Sequence, residues 1–186
     1  MKNILFVISG PSGVGKGTVA NMIYQRNENV ALSISCTTRS PREGEVEGES
    51  YFFITKEEFA HKINKGGFLE FSEHFNNYYG TPKQFVEDKL KTNDVMLEID
   101  VNGGLQVKKN MPEAILIMLV PPSQEELIYR LCNRHTESLV DIKNRLSRVE
   151  YELSKQSEYD YVVVNDKIEQ AYEDIMAIIN KEKTRN

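Results

Sequence analysis

Hydrophobic and polar positions alternate along this chain in blocks that predict a succession of short strands and helices. Residues 4–8, Ile-Leu-Phe-Val-Ile, are an unbroken apolar run, the pattern of a buried strand. A glycine-rich polar stretch begins at Gly10, and residues 19–24 then read as the opening of a helix. Residues 30–35 predict a second strand, followed by a polar loop over 36–42 in which Pro41 disfavours helix at Ser40. Residues 43–49 read as a solvated acidic turn, and residues 51–54, aromatic and β-branched, predict a strand. Thr55 with Glu58 three positions later is a capping-box pattern, so a helix starts there and runs to about Lys65, where Gly66 and Gly67 stop it. Short strands follow near 68–71 and 77–80, then a helix from Pro82 to about Lys91.

The second half repeats the alternation. Residues 95–99 predict a strand ending at Asp100, and Gly103-Gly104 open a short helix through Lys109. Residues 114–120 are the most apolar run and predict a central strand. Ser123 and Glu126 form a second capping-box pattern, starting a helix that carries Leu127, Ile128 and Leu131. A longer helix is predicted over about 139–154, with Ile142, Leu146 and Val149 on one face. Residues 161–164 predict the last core strand and 169–181 a closing amphipathic helix, after which the charged tail 183–186 is expected to fray. Strands alternating with helices imply an α/β fold with a parallel central sheet covered on both faces. Ligands of such sheets lie beyond the carboxyl ends of the strands, and the loops there carry Lys16, Arg39, Asp100 and Asn165-Asp166. The segment 35–84, β-rich with one helix, reads as an insertion into this pattern.

The loop after the first strand carries the strongest chemical signal. Gly10-Pro11-Ser12-Gly13-Val14-Gly15-Lys16-Gly17-Thr18 matches the phosphate-binding pattern GxxxxGK, between a predicted strand and a predicted helix. Glycines let the backbone bend around an anion, and the helix N-terminus adds partial positive charge. Lys16 supplies a full charge for the outer phosphates of a nucleoside triphosphate. Gly17 stands where a serine or threonine commonly follows the lysine, and Thr18 comes next, which leaves the hydroxyl that would approach Mg2+ undefined. The alternative, a glycine-rich turn with an incidental lysine, does not account for the flanking strand and helix.

Composition narrows the partners. The 186 residues are 40% hydrophobic and 27% charged, enough apolar content for a proper core. The net charge of −5 argues against a nucleic-acid polymer or an anionic membrane as partner. No apolar run approaches the ~18 residues of a membrane span. The N-terminal apolar run is too short for a secretory signal, and Cys36 and Cys132 show no metal spacing, so a cytoplasmic protein with reduced thiols is expected.

Local basic pairs recur nonetheless: Arg39 with Arg42, Arg130 with Arg134, and Arg145 with Arg148. Arginine clamps phosphate through paired hydrogen bonds. A duller reading pairs Arg145 with Asp141 and Arg148 with Glu152 along one helix. No nucleophile–base pair stands out, and His61, His74 and His135 read as surface or structural residues. Phosphoryl transfer to a phosphate monoester, with a second pKa near ~6, needs no general base. Positioning, charge neutralisation and exclusion of water suffice.

Beyond the loop, several stretches carry a resemblance: Ser35-Cys36-Thr37-Thr38-Arg39-Ser40-Pro41-Arg42, Gly44-Glu45 with Tyr51, Asn77-Tyr78-Tyr79-Gly80-Thr81, Glu98-Ile99-Asp100-Val101-Asn102-Gly103, and Val164-Asn165-Asp166. Together they make the chain similar to the guanylate kinase family over roughly residues 3–182. The resemblance implies a three-layer P-loop core (about 1–34, 85–125 and 146–186), a small β-rich GMP-binding lobe (about 35–84) and a helical lid (about 126–145). It implies ATP and GMP as substrates, with Mg2+ approached through phosphates and waters near Thr18 and Asp100. On the family pattern, Gly10 through Thr18 and Asn165 bind ATP. Ser35, Arg39, Arg42, Tyr51 and Tyr79 hold the GMP phosphate, and Glu70 and Thr81 read the guanine. Asp100 lies near the guanine amino group and the metal waters. Lys16, Arg39, Arg130, Arg134 and Arg145 assist transfer. The lid departs from the family's usual Arg-Gly-Thr, reading Arg134-His135-Thr136 instead. Two other readings compete: a non-catalytic peptide-binding scaffold of the same fold, disfavoured by the intact loop and arginines, and a kinase of another monophosphate, disfavoured by Glu70 with Thr81.

Overall fold

The computed structural model describes residues 2–123, 125–127 and 139–185, with side chains in the last stretch from Ser147 onward. Five strands build the principal sheet. They are β1 (Leu5–Ser9), β2 (Val30–Leu32), β7 (Asp94–Glu98), β8 (Ile115–Val120) and β9 (Tyr161–Val164), in the order β2-β7-β1-β8-β9. All neighbours in this sheet run parallel. Alternation along β1 divides the core in two. Phe6 and Ile8 pack beside Val19, Ile23, Ile175 and Ile179, whereas Leu5 and Val7 pack beside Val86, Leu97, Val101 and Val107. The first face is covered by α1 (Lys16–Arg26) and α6 (Ile168–Arg185), the second by α3 (Lys83–Lys89) and α4 (Val101–Asn110). Each fully buried side chain of this size contributes about 2 kcal/mol through removal from water.

A second, four-stranded sheet holds β3 (Cys36–Thr37), β4 (Phe52–Phe53), β5 (Phe68–His74) and β6 (Asn77–Pro82), in the order β4-β3-β6-β5. Its small core stacks Phe59, from α2 (Lys56–Asn64), against Phe68 and Tyr78 at ring-centroid distances of 4.4 and 5.4 Å. The α2 capping box forms as predicted, with Thr55 and Glu58 satisfying each other's backbone N–H groups.

Four expectations are corrected. The run 30–35 is not one strand: Ser33 N still bonds Met96 O on the principal sheet, but Cys36 already pairs with Gly80 on the second. The chain changes sheets over three residues, and no hydropathy signal marks that crossing. The strand begun at Phe68 continues to His74, because a two-residue turn of Phe75 and Asn76, both at positive φ (50° and 61°), closes a hairpin onto β6. The tail does not fray at Lys183. Helix α6 continues to Arg185, Lys183 Nζ bonds Asp94 Oδ2 at 2.6 Å, and Arg185 pairs with Glu182. Finally, β9 is an edge strand, with Val162 and Val164 about half exposed. Helix α5 (Leu139–Ser154) has the predicted span. Among the described residues, no helix is long and apolar enough to cross a membrane.

Candidate active site

Strand β1 ends at Ser9, and the chain then turns sharply over the carboxyl edge of the sheet. Gly10 has φ +149°, and a Cβ there would lie 2.2 Å from Leu119 O, so only glycine lets the loop sit this close to β8. Gly15, at φ +96°, is the residue before α1, and its missing Cβ leaves room for the Asn165 amide. Asn165 is buried and donates Nδ2–H to Val14 O at 2.7 Å, while its own N–H bonds Val120 O. The loop is thereby braced from below by the residue that follows β9. Lys16 Nζ folds back across the loop onto Gly10 O (2.7 Å) and Pro11 O (3.2 Å). Burial lowers its pKa, opposed by the carboxylates of Glu98, Glu152 and Asp100. Ser12 on the loop and Thr18 in the first turn of α1 are both exposed.

Gly10, Ser12 and Lys16 line a cavity of about 430 Å3 together with Phe75, Asp100, Arg148 and Glu152. A second cavity, about 170 Å3, is lined by Ser35, Tyr51, Glu70, Tyr79, Glu98 and Asp100, with Ser72, His74 and Ile99. Asp100 is common to both. It is also the N-cap of α4, accepting from Gly103 N through Oδ1 at 2.8 Å, so the cap fixes this carboxylate at the junction. Its other oxygen, Oδ2, lies 3.4 Å from both His74 Nε2 and Arg148 Nη2.

Within the second cavity Thr81 Oγ1 donates to Glu70 Oε1 at 2.6 Å, both residues being buried. Burial pushes the Glu70 carboxyl up to about 7, against the opposing pull of the Thr81 hydrogen bond. Arg39 is held by Glu45 in a bidentate pair at 2.8 and 3.0 Å and lies over the Tyr51 ring. Glu45 also accepts from Arg42 N, whose side chain is exposed. The acidic turn is therefore not merely solvated: its Glu45 orients the arginine loop.

The sites expected from sequence divide accordingly. Gly10, Ser12, Lys16 and Asp100 meet at one cavity, and Ser35, Tyr51, Glu70, Tyr79 and Asp100 meet at the next, with Thr81 behind Glu70. Arg39 is not itself a lining residue: it pairs with Glu45 and packs against Tyr51 of the second cavity. Arg130 and Arg134 lie outside the described residues, as do Cys132 and His135, and Arg145 lies on α5 where its side chain is not described. Seven lining residues were not among the expected site residues: Ser72, His74, Phe75, Glu98, Ile99, Arg148 and Glu152. His74 reads as a surface or structural histidine in sequence, and the hairpin carries it to Asp100. Arg148 reads in sequence either as a phosphate-clamping partner of Arg145 or as a helical pair with Glu152; the helical pair does form (3.1 Å), and both of its members line the Lys16 cavity. The i,i+4 spacing was the available signal, and it is common to any solvated helix.

A braced GxxxxGK loop at the carboxyl edge of a parallel sheet, between a strand and a helix, defines a protein of the P-loop nucleotide-binding class. The family model described as "Guanylate kinase" matches residues 2–182. The chain is 50% identical to a guanylate kinase of Oceanobacillus iheyensis over 182 residues, 97% of this chain and 88% of that one. It is 50% identical to a guanylate kinase of Clostridium tetani, over 99% of this chain and 88% of that one. The crystal structure of guanylate kinase from Anaplasma phagocytophilum superposes with a TM-score of 0.76 at 33% identity, covering 97% of this chain and 86% of that chain. This chain belongs to the guanylate kinase family, whose reaction is the ATP-dependent phosphorylation of GMP to GDP.

Proposed function

We propose a division of labour for that reaction. The Lys16 loop, Gly10 to Thr18, cradles the triphosphate of ATP through its N–H groups, the helix N-terminus and the lysine. The second cavity takes GMP. An ionised Glu70 accepts from the guanine N1–H and amino group, and the Thr81 hydroxyl gives up its bond to Glu70 and donates to O6 instead. Adenine presents the reverse polarity at that edge and would leave both groups unpaired. Ser35, Arg39, Arg42, Tyr51 and Tyr79 hold the GMP phosphate, with Glu45 orienting Arg39. Arg130, Arg134 and Arg145 supply charge from a lid over about 126–145, and 35–84 moves as the GMP lobe. The acceptor phosphate attacks in line without a general base. The cytoplasm is the expected location.

The observation that carries this reading is the shared wall. Both cavities border Asp100, so a triphosphate on one side and a monophosphate on the other face each other. The oxygens present fit a hard cation delivered with ATP. Asp100 stands at the junction, and Glu98 carries its carboxylate beneath Gly17, 3.5 Å from where a Cβ would be. Glu98 and Asp100 would hold Mg2+ through its waters, and the ion supplies neutralisation of phosphate charge. Release of ADP, followed by a coupled assay with GMP, AMP, UMP and CMP, tests the assignment. GMP is expected to be preferred by orders of magnitude, and equal turnover of AMP would refute it.

A further inference from the structure

The Arg148–Glu152 pair has one buried and one half-exposed member. Glu152 is 6% exposed and Arg148 50%. The buried carboxylate meets Arg148 at the neck of the guanidinium, Nε to Oε1 at 3.1 Å, and its Oε2 is buried without a hydrogen-bond partner among the described residues. Such a carboxylate is costly to bury unless it serves to hold its cation. The other end of Arg148 is tethered weakly, Nη2 to Asp100 Oδ2 at 3.4 Å, and it shares that oxygen with His74. The guanidinium is thus anchored at its neck and loose at its tip, on the wall of the cavity that holds Lys16.

The charge pattern of the cavity points the same way. Glu98, Asp100 and Glu152 all act on Lys16, and among the described residues Arg148 is the cation that opposes them there. A polyanionic phosphate entering beside Lys16 meets these carboxylates as well, and Arg148 offsets two of them. A phosphate more highly charged than Asp100 competes for the tip of Arg148, whose 3.4 Å contact to Asp100 is the weaker of its two tethers.

We propose that Arg148 is a further phosphate-binding residue of the transfer site, anchored by Glu152, and that Asp100 is its resting partner, surrendered when ATP arrives. The ligand class is the phosphate oxygens of the donor nucleotide. The inference rests on the assignment of ATP to the Lys16 cavity, and goes beyond it by adding a cation to the site.

The test uses Arg148→Met, Arg148→Lys, Glu152→Gln and the double variant Arg148→Met/Glu152→Gln in the full chain. Calorimetric Kd for ATP, kcat with GMP and thermal midpoint are measured for each. Arg148→Met is expected to weaken ATP about 10-fold and lower kcat about 100-fold, the scale of losing one charged donor to a transferring phosphate. Arg148→Lys keeps the charge and falls between. Glu152→Gln frees the neck and lowers kcat about 5-fold with little change in ATP affinity. The double variant buries no lone carboxylate, so it regains the parental midpoint but keeps the Kd and kcat of Arg148→Met. If Arg148→Met alone does not fold, the double variant decides the matter. Parental Kd and kcat in the double variant would overturn the proposal, since Arg148 would then serve only to neutralise Glu152. Should the parent prefer another acceptor over GMP, the acceptor reading fails while the ATP affinities still judge Arg148.

Discussion

The two cavities are built by opposite means. The Lys16 loop is made largely of backbone: nine consecutive residues lead from the turn after β1 into the start of α1, and two of the glycines sit where a Cβ would strike Leu119 O or Asn165. The neighbouring cavity is made of side chains drawn from distant parts of the chain, Ser35, Tyr51, Glu70, Tyr79 and Asp100. A backbone cradle recognises charge and shape but cannot tell one base from another. A side-chain pocket can, because its donors and acceptors are chosen one at a time. The comparison teaches where specificity and where affinity for phosphate are expected to reside, and substitutions can separate them.

The largest effect is expected from Lys16→Met. Transfer should fall by about three orders of magnitude, the upper end for loss of one charge at a transferring phosphate, while GMP still binds in calorimetry. Loss of GMP binding in a folded variant would merge the two regions. Next comes Gly10→Ala, which forces a methyl group onto Leu119 O. It should destabilise the fold by about 3 kcal/mol, read as a lowered urea midpoint with unchanged m-value.

Glu70→Gln bears on the other region. It should cost about 30-fold in preference for GMP over AMP, the scale of a mismatched buried hydrogen bond, with ATP affinity unchanged. It also has a pH signature. The folded chain holds the Glu70 proton up to about pH 7, above the ordinary carboxylate value of 4.5. The stability that protonated Glu70 lends at acid pH is therefore lost as pH rises from 4.5 through about 7. Glutamine mimics the protonated form, so the variant should exceed the parent in stability at pH 8 by about 2 kcal/mol and match it near pH 5. Binding of GMP runs the other way, weakening in the parent as pH falls below 7, and the steepness missing from Glu70→Gln is the share due to this carboxyl. The smallest effect is expected from Glu45→Gln, which loosens Arg39 and should raise KM for GMP about 5-fold with kcat kept. An unchanged KM would remove Glu45 from the orientation of Arg39.

The same contrast explains what the sequence disclosed. The cradle was legible from nine adjacent letters and their flanking strand and helix, because backbone binding demands contiguous glycines. The order of strands and helices was legible for the same local reason. The side-chain pocket was not: Glu70 and Thr81 are ordinary strand residues until β5 and β6 pair, and only the resemblance to a family singled them out. His74 was not read as a site residue because its partner, Asp100, lies 26 positions away at the N-cap of α4. The change of sheet between Leu32 and Cys36 was missed because Ser33-Ile34-Ser35 alternates polar and apolar as a strand does. Arg148 was visible as half of a pair, but burial of Glu152 is a property of packing that no spacing reveals.

One hydrogen bond has a consequence for the order of events during synthesis. The amide of Asn165 holds Val14 O from 151 positions away, so the loop is braced only after a stretch made much later than the motif itself. A nascent chain that stops short of β9 carries every letter of the motif and lacks its keystone. Tight capture of ATP should therefore arrive abruptly once β9 and Asn165 are in place, instead of growing with chain length.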